Sequence, residues 1–143
     1  MIEYRHAVEG DINRPDLREL VLKGLNASAI GREPNIEKLE TLARQSLENG
    51  IWLVAEEDGK IVSHIVGLVT EDPLYDRRQL TVISWHSTSP GSGMRLLHLL
   101  MDWRKQFPMI ASVVVCTNQD EKLKRILEKR GWIMHPQYLW MGD

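Results

Sequence analysis

The sequence has a single cysteine, Cys116, and so no internal disulfide; this fits a reducing compartment. It lacks an excess of positive charge. The formal net charge is -2, which excludes an overall basic field drawing the chain to nucleic acid or an anionic membrane. Long apolar runs are missing too. The strongest apolar helical stretch is broken by Arg95, His98 and Asp102, so no segment is expected to span a membrane. The opening MIEYRHAVEGD is charged and has no signal-peptide stretch, and the expected location is the cytosol. There is no internal repeat or low-complexity tract. The five histidines show no His-x-x-x-His or His-Glu pairing, so no metal site is expected. What is present is 143 residues of ordinary globular composition, enough for one domain, 1–143, with its own core.

Residues 2–8 alternate apolar and polar as a strand does. Asn13 is placed to cap a helix carrying Leu17, Leu20, Val21 and Leu25 on one stripe, with Gly31 and Pro34 as its breakers. Asn35 is placed to cap a second helix with Ile36, Leu39, Ala43 and Leu47 on one face and Gly50 as its stop. Residues 51–57 and 61–69 are rich in β-formers and flank Asp58-Gly59, a strong tight-hairpin signal. A fourth strand is read at 80–86, a helix at 94–106 packing through Leu96, Leu99, Leu100 and Trp103, and a buried-type strand at 111–117. Asn118 and Glu121 read as a capping box for a helix with Leu123, Ile126 and Leu127 inward and Gly131 at its end; 137–141 reads as a last strand. The order β, α, α, β, β, β, α, β, α, β predicts an α/β fold with a mixed, mainly antiparallel sheet. Its strand–helix–strand unit over 80–117 should cross over right-handed.

Chemistry concentrates in Thr88-Ser89-Pro90-Gly91-Ser92-Gly93-Met94, between a strand and a helix. Glycines let backbone N–H groups approach an anion, and the next helix adds unpaired N-terminal donors and the positive end of its dipole. Ser92 offers a further hydroxyl. The residues by themselves fit either a plain strand-to-helix turn or a phosphate cradle. A dinucleotide fingerprint lacks its third glycine, and a Walker loop lacks its Gly-Lys-Ser/Thr.

This loop, the helix MRLLHLLMDW after it, then SVVVCTN and KLKRILEKRGW, resemble the GNAT superfamily of acyl-CoA N-acyltransferases, whose signature is Gln/Arg-x-x-Gly-x-Gly/Ala before a leucine-rich helix. The resemblance implies acetyl-CoA as co-substrate and an amine acceptor, on a small molecule or a protein. It implies that the strands at 80–87 and 111–117 splay apart. Backbone near Ile83 and Trp85 would then pair with the pantetheine arm, amides of Ser89 to Met94 (Gly91, Ser92 and Gly93 among them) with the pyrophosphate, and Asn118 would stand near the thioester. The sequence departs from the pattern at three places. Thr88 replaces the long donor, Leu127 stands where a general-acid tyrosine is frequent, and the strand at 80–87 carries no carboxylate.

Candidates for the missing proton transfer are His86, which titrates near neutrality, Cys116 and Tyr138. Each has a plainer reading, as a polar strand end, a small core residue and a packed aromatic. His64 could face the cleft or pack. Lys122, Lys124, Arg125, Lys129 and Arg130 form a basic helix surface, solvated or facing adenosine phosphates. Two functions follow: an N-acetyltransferase, or a GNAT-like binding or assembly module, of the kind found among phage-encoded proteins, that no longer transfers acyl groups.

Overall fold

The computed structural model describes residues 1–27, 34–72, 74–115 and 120–134. Among them, five strands form one sheet in the order β1 (Ile2–His6), β2 (Gly50–Glu57), β3 (Lys60–Glu71), β4 (Arg78–Ser87) and β5 (Ile110–Val114). Neighbours are antiparallel except β4 and β5, which are parallel and joined by helix α3 (Ser92–Arg104). The predicted mixed sheet and parallel crossover are therefore present. The expected strand at 137–141 and the end of the one at 111–117 lie outside the described residues.

Local rules place several elements. Asp58 and Gly59 both take positive φ, 51° and 78°, the geometry of the tight hairpin read from the sequence. Asn35 caps α2 (Ile36–Asn49), its side chain accepting from the Lys38 amide at 3.1 Å. Two other caps differ from expectation. Helix α1 (Pro15–Ala27) opens on Arg14, whose carbonyl takes the Arg18 amide at 3.1 Å, while the Asn13 side chain accepts from the Arg18 guanidinium at 3.2 Å. Helix α4 (Glu121–Lys129) is capped by Asp120, which accepts from the Leu123 amide at 3.0 Å; Asn118 lies outside the described residues. At α4 a carboxylate two positions along replaces the asparagine as acceptor, whereas at α1 the Asp16 carboxylate, inside the first turn, accepts from the Leu17 amide at 2.8 Å.

Alternation along β2 divides two cores. Ile51, Leu53 and Ala55 face α3 and α4, and Trp52 and Val54 face α1 and α2. The helices thus cover both faces of the sheet. Leu96, Leu97 and Leu100 of α3 are fully buried, and each such leucine contributes about 1.5–3 kcal/mol. Leu97 was not in the predicted stripe, and the predicted Leu99 and Trp103 are only half-buried; the helix begins two residues earlier than expected and leans more on the 93–96–97–100 face. Leu127 of α4 is 5% exposed and sits in this same core. Beside the β2–β3 turn, Arg5 holds Asp11 at 2.7 Å and Glu56 at 3.1 Å, and Arg14 holds Asp16 at 2.8 Å, tying the start of α1 to β1 and β2.

Candidate functional site

The parallel pair β4–β5 is joined only from Arg78 to Thr81. Beyond Thr81, the β5-facing edge of β4 has no strand partner among the described residues. A cleft of about 570 Å³ opens there. Its walls are β4 from Val82 to Ser87, the loop to Gly93 and Met94, Gly24 of α1, and Asp120, Lys122, Leu123 and Ile126 at α4. Exposed strand edges and loop amides that find no partner are the groups an amide-bearing ligand can satisfy.

At the cleft's end, Gly91 precedes α3 with φ of 80°, a left-handed conformation that a β-carbon would strain. Two amides of the loop are used internally. Ser89 N donates to Ser87 Oγ at 3.2 Å, and Ser92 N to the Ser89 carbonyl at 3.2 Å. The Ser92 hydroxyl also turns inward, meeting the Ser87 hydroxyl and the Ser89 carbonyl, each at 2.7 Å, and Ser92 is 1% exposed. These bonds correct the expectation that amides from 89 to 94 and the Ser92 hydroxyl all face an anion. Among the described residues, the loop amides left without a partner are those of Gly91, Gly93 and Met94, at the positive end of α3. Lys122 brings a positive charge to the facing wall.

The loop is held from behind. Trp85 Nε1 donates to the Gly93 carbonyl at 3.0 Å, and the Thr88 amide donates to the Val62 carbonyl at 2.8 Å. A β-carbon on Gly93 would stand 3.1 Å from Ser87 Cβ and 3.4 Å from Trp85 Nε1, so the helix meets the strand closely here.

Of the proton-transfer candidates, His86 lines the cleft. Burial, and then the charge of Lys23, push its imidazole below the ordinary range. Cys116 and Tyr138 lie outside the described residues, as does Asn118. His64 packs. It is completely buried on the α1 side, between Trp52 and Ser84. Lys122, read in the sequence as part of a basic helix surface, also lines the site, and Asp120, Ser87 and Gly24, which were not singled out, complete it. Only Gly24 carried a signal there, as an isolated glycine in a helical pattern.

Among the described residues, no three His, Cys, Asp or Glu side chains converge as metal ligands would. No described helix is long and apolar enough to cross a membrane.

No protein-family profile and no curated protein sequence matches the chain. Solved structures do. A ribosomal-protein-alanine N-acetyltransferase from Brucella melitensis biovar Abortus 2308 superposes with a TM-score of 0.72 at 15% identity, over 100% of this chain and 97% of the other. A predicted acetyltransferase from Clostridium acetobutylicum, solved with acetyl-CoA, gives 0.72 at 21% identity, over 99% and 96%. An aminoglycoside acetyltransferase from an uncultured soil metagenomic sample, in complex with sisomicin, gives 0.69 at 17% identity, over 99% and 95%. The fold is that of the GNAT acetyltransferases.

Proposed function

We propose that this protein transfers an acetyl group from acetyl-CoA to an amine on a small molecule or a protein. One observation carries the reading: among the described residues, β4 has no strand partner on its β5 side beyond Thr81, and the cleft there ends on three amides without a partner at the N-terminus of α3. Helix N-termini of this kind bind phosphates. The cleft volume of about 570 Å³ is in the range of small-molecule sites. The acetyl-CoA in a neighbour of the same fold supports the same ligand. The single cysteine suits the reducing cytosol, where we place the reaction.

The residues present fit such a ligand. Gly91, Gly93 and Met94 would hold the pyrophosphate through their amides, with Lys122 opposite. Backbone at Ile83 and Trp85 would meet the pantetheine arm. The thioester would then lie toward Thr81 and Val82, where the strands rejoin. Acetyl-CoA supplies an activated acyl carbon and a thiolate leaving group. The amine forms the C–N bond as the C–S bond breaks, and its proton passes to the thiolate or to water. A thiol pKa of roughly 8.5 makes that departure feasible without a dedicated acid. Holding thioester and amine together supplies most of the acceleration. His86 stands four residues beyond Val82, roughly 13 Å along a strand. It is therefore nearer the phosphates than the thioester, and we assign it a modest role.

A second reading, a binding module without catalysis, is favoured by Leu127, whose burial fills the place where the resemblance puts an acid tyrosine. One assay separates the two. Incubation with acetyl-CoA and a panel of primary amines should release free thiol in proportion to enzyme. Binding of acetyl-CoA without thiol release across the panel would favour the module, and absence of binding at millimolar concentration would end both.

A further inference from the structure

Strand β4 changes phase at Ile83. Leu80 and Val82 turn to the core beneath α3, whereas Ile83 and Ser84 both turn toward α1. The cause is a bulge: Val66 pairs with Ser84 and Gly67 with Val82, which leaves Ile83 as an extra residue. One inserted residue sends every later side chain to the opposite face. Here that reversal turns Trp85 and Ser87 to the start of α3, where they bind the Gly93 carbonyl at 3.0 Å and the Ser92 hydroxyl at 2.7 Å.

Ser84 is held on the α1 side by a chain of hydrogen bonds with a single sense. The Trp52 indole only donates, so His64 Nδ1 accepts from it, at 3.2 Å. The neutral ring then carries its proton on Nε2 and donates to Ser84 Oγ at 2.9 Å. Ser84 Oγ donates onward to the Val21 carbonyl of α1 at 3.0 Å. His64 is 0% exposed and Ser84 2%, so neither can turn to water when a partner is lost. Because Nδ1 is occupied by the indole, His64 is not a free base, and the cleft reaction gives it no part.

We propose that Trp52, His64 and Ser84 are positioning residues for the phosphate loop. By pinning the Ser84 hydroxyl to α1 they fix the bulge in β4, and the bulge aims the Trp85 and Ser87 contacts that set the Gly91, Gly93 and Met94 amides. The consequence for ligand affinity rests on the acyl-CoA reading; the consequence for loop geometry does not.

The test compares Ser84→Ala, His64→Leu and His64→Gln in the full chain. A glutamine amide at 64 can accept from Trp52 and donate to Ser84, restoring the chain. Two readouts are taken: the NMR signals of the Trp85 indole N–H and the Gly91 and Gly93 amides, and the calorimetric Kd for CoA. Ser84→Ala and His64→Leu should move those signals and weaken CoA by about tenfold, while His64→Gln stays near wild type. A Ser84→Ala protein that is less stable yet keeps wild-type signals and Kd overturns the proposal. If the wild type binds no CoA, the acyl-CoA reading fails, and the NMR signals alone decide: loop shifts uphold the positioning role and their absence overturns it. Should Ser84→Ala not fold, Trp52→Phe removes the first donor alone and is judged by the same signals.

Discussion

Gly24 of α1 lies against Ser84 of β4 so closely that a β-carbon on Gly24 would overlap the Ser84 hydroxyl and reach 3.0 Å from the Trp85 amide nitrogen. This contact brings the helix down onto the bulged strand. It also reverses an ordinary rule. Glycine to alanine inside a helix usually stabilises by about 1 kcal/mol. Here overpacking against backbone costs about 1–3 kcal/mol. Gly24→Ala should therefore lower the melting temperature; a rise would show that α1 does not sit this close.

The two loop glycines should fail differently. Gly91 needs its left-handed φ, but nothing lies within 4 Å of a β-carbon there, so Gly91→Ala costs about 1–2 kcal/mol of backbone strain and leaves the fold intact. Gly93 is buried against Ser87 and Trp85, so a valine there would disturb the packing of α3 on β4. Thermal melts should place Gly93→Val well below Gly91→Val. Equal melting temperatures would contradict the packing described.

His64 makes stability depend on pH. Burial first, then the nearby His86, push its pKa down to about 3. The unfolded ring takes up a proton below about 6.5, which the folded ring refuses. Stability from this group is complete above about 6.5 and is lost as pH falls from there toward 3, by about 1.4 kcal/mol per pH unit. Between pH 7 and pH 5, urea titrations should show a loss of about 2 kcal/mol from this residue. His64→Gln should lack most of it. A variant as acid-sensitive as the wild type would place the sensitivity elsewhere.

Leu127→Tyr would place a tyrosine where the resemblance expects the general acid, and a gain in rate would follow if that side chain reached the cleft. Its burial in the core beneath α3 predicts the opposite: destabilisation by about 1–3 kcal/mol and no gain in rate. A faster, equally stable variant would show that position 127 reaches the cleft.

His86→Ala should cost less than about a hundredfold in kcat, the lower end of general acid–base effects, because positioning supplies most of the catalysis. Activity should rise with pH as the acceptor amine loses its proton, in wild type and variant alike. A loss beyond about ten-thousand-fold with CoA affinity intact would make His86 a dedicated catalytic group.

How far the sequence could be read follows from the range of the forces involved. The Asp58-Gly59 turn and the Asn35 cap are set by residues next to one another, and both were legible. The β4–α3–β5 crossover was legible because hydrophobic period and handedness constrain it. The bulge at Ile83 was not. The extra residue is held by Trp52, His64 and Val21, distant in sequence. The glycine pair of the cradle was visible, but which amides remain available depends on Ser87 and Ser92 bonding to each other and to Ser89.

The central claim is that the start of α3 is an acyl-CoA phosphate cradle. An NMR titration of the wild type with CoA tests it most directly. The account predicts saturable shifts concentrated at the Gly91, Gly93 and Met94 amides, extending along β4 from Val82 to Ser87. No shift at millimolar CoA, or shifts confined to another part of the sheet, would contradict it.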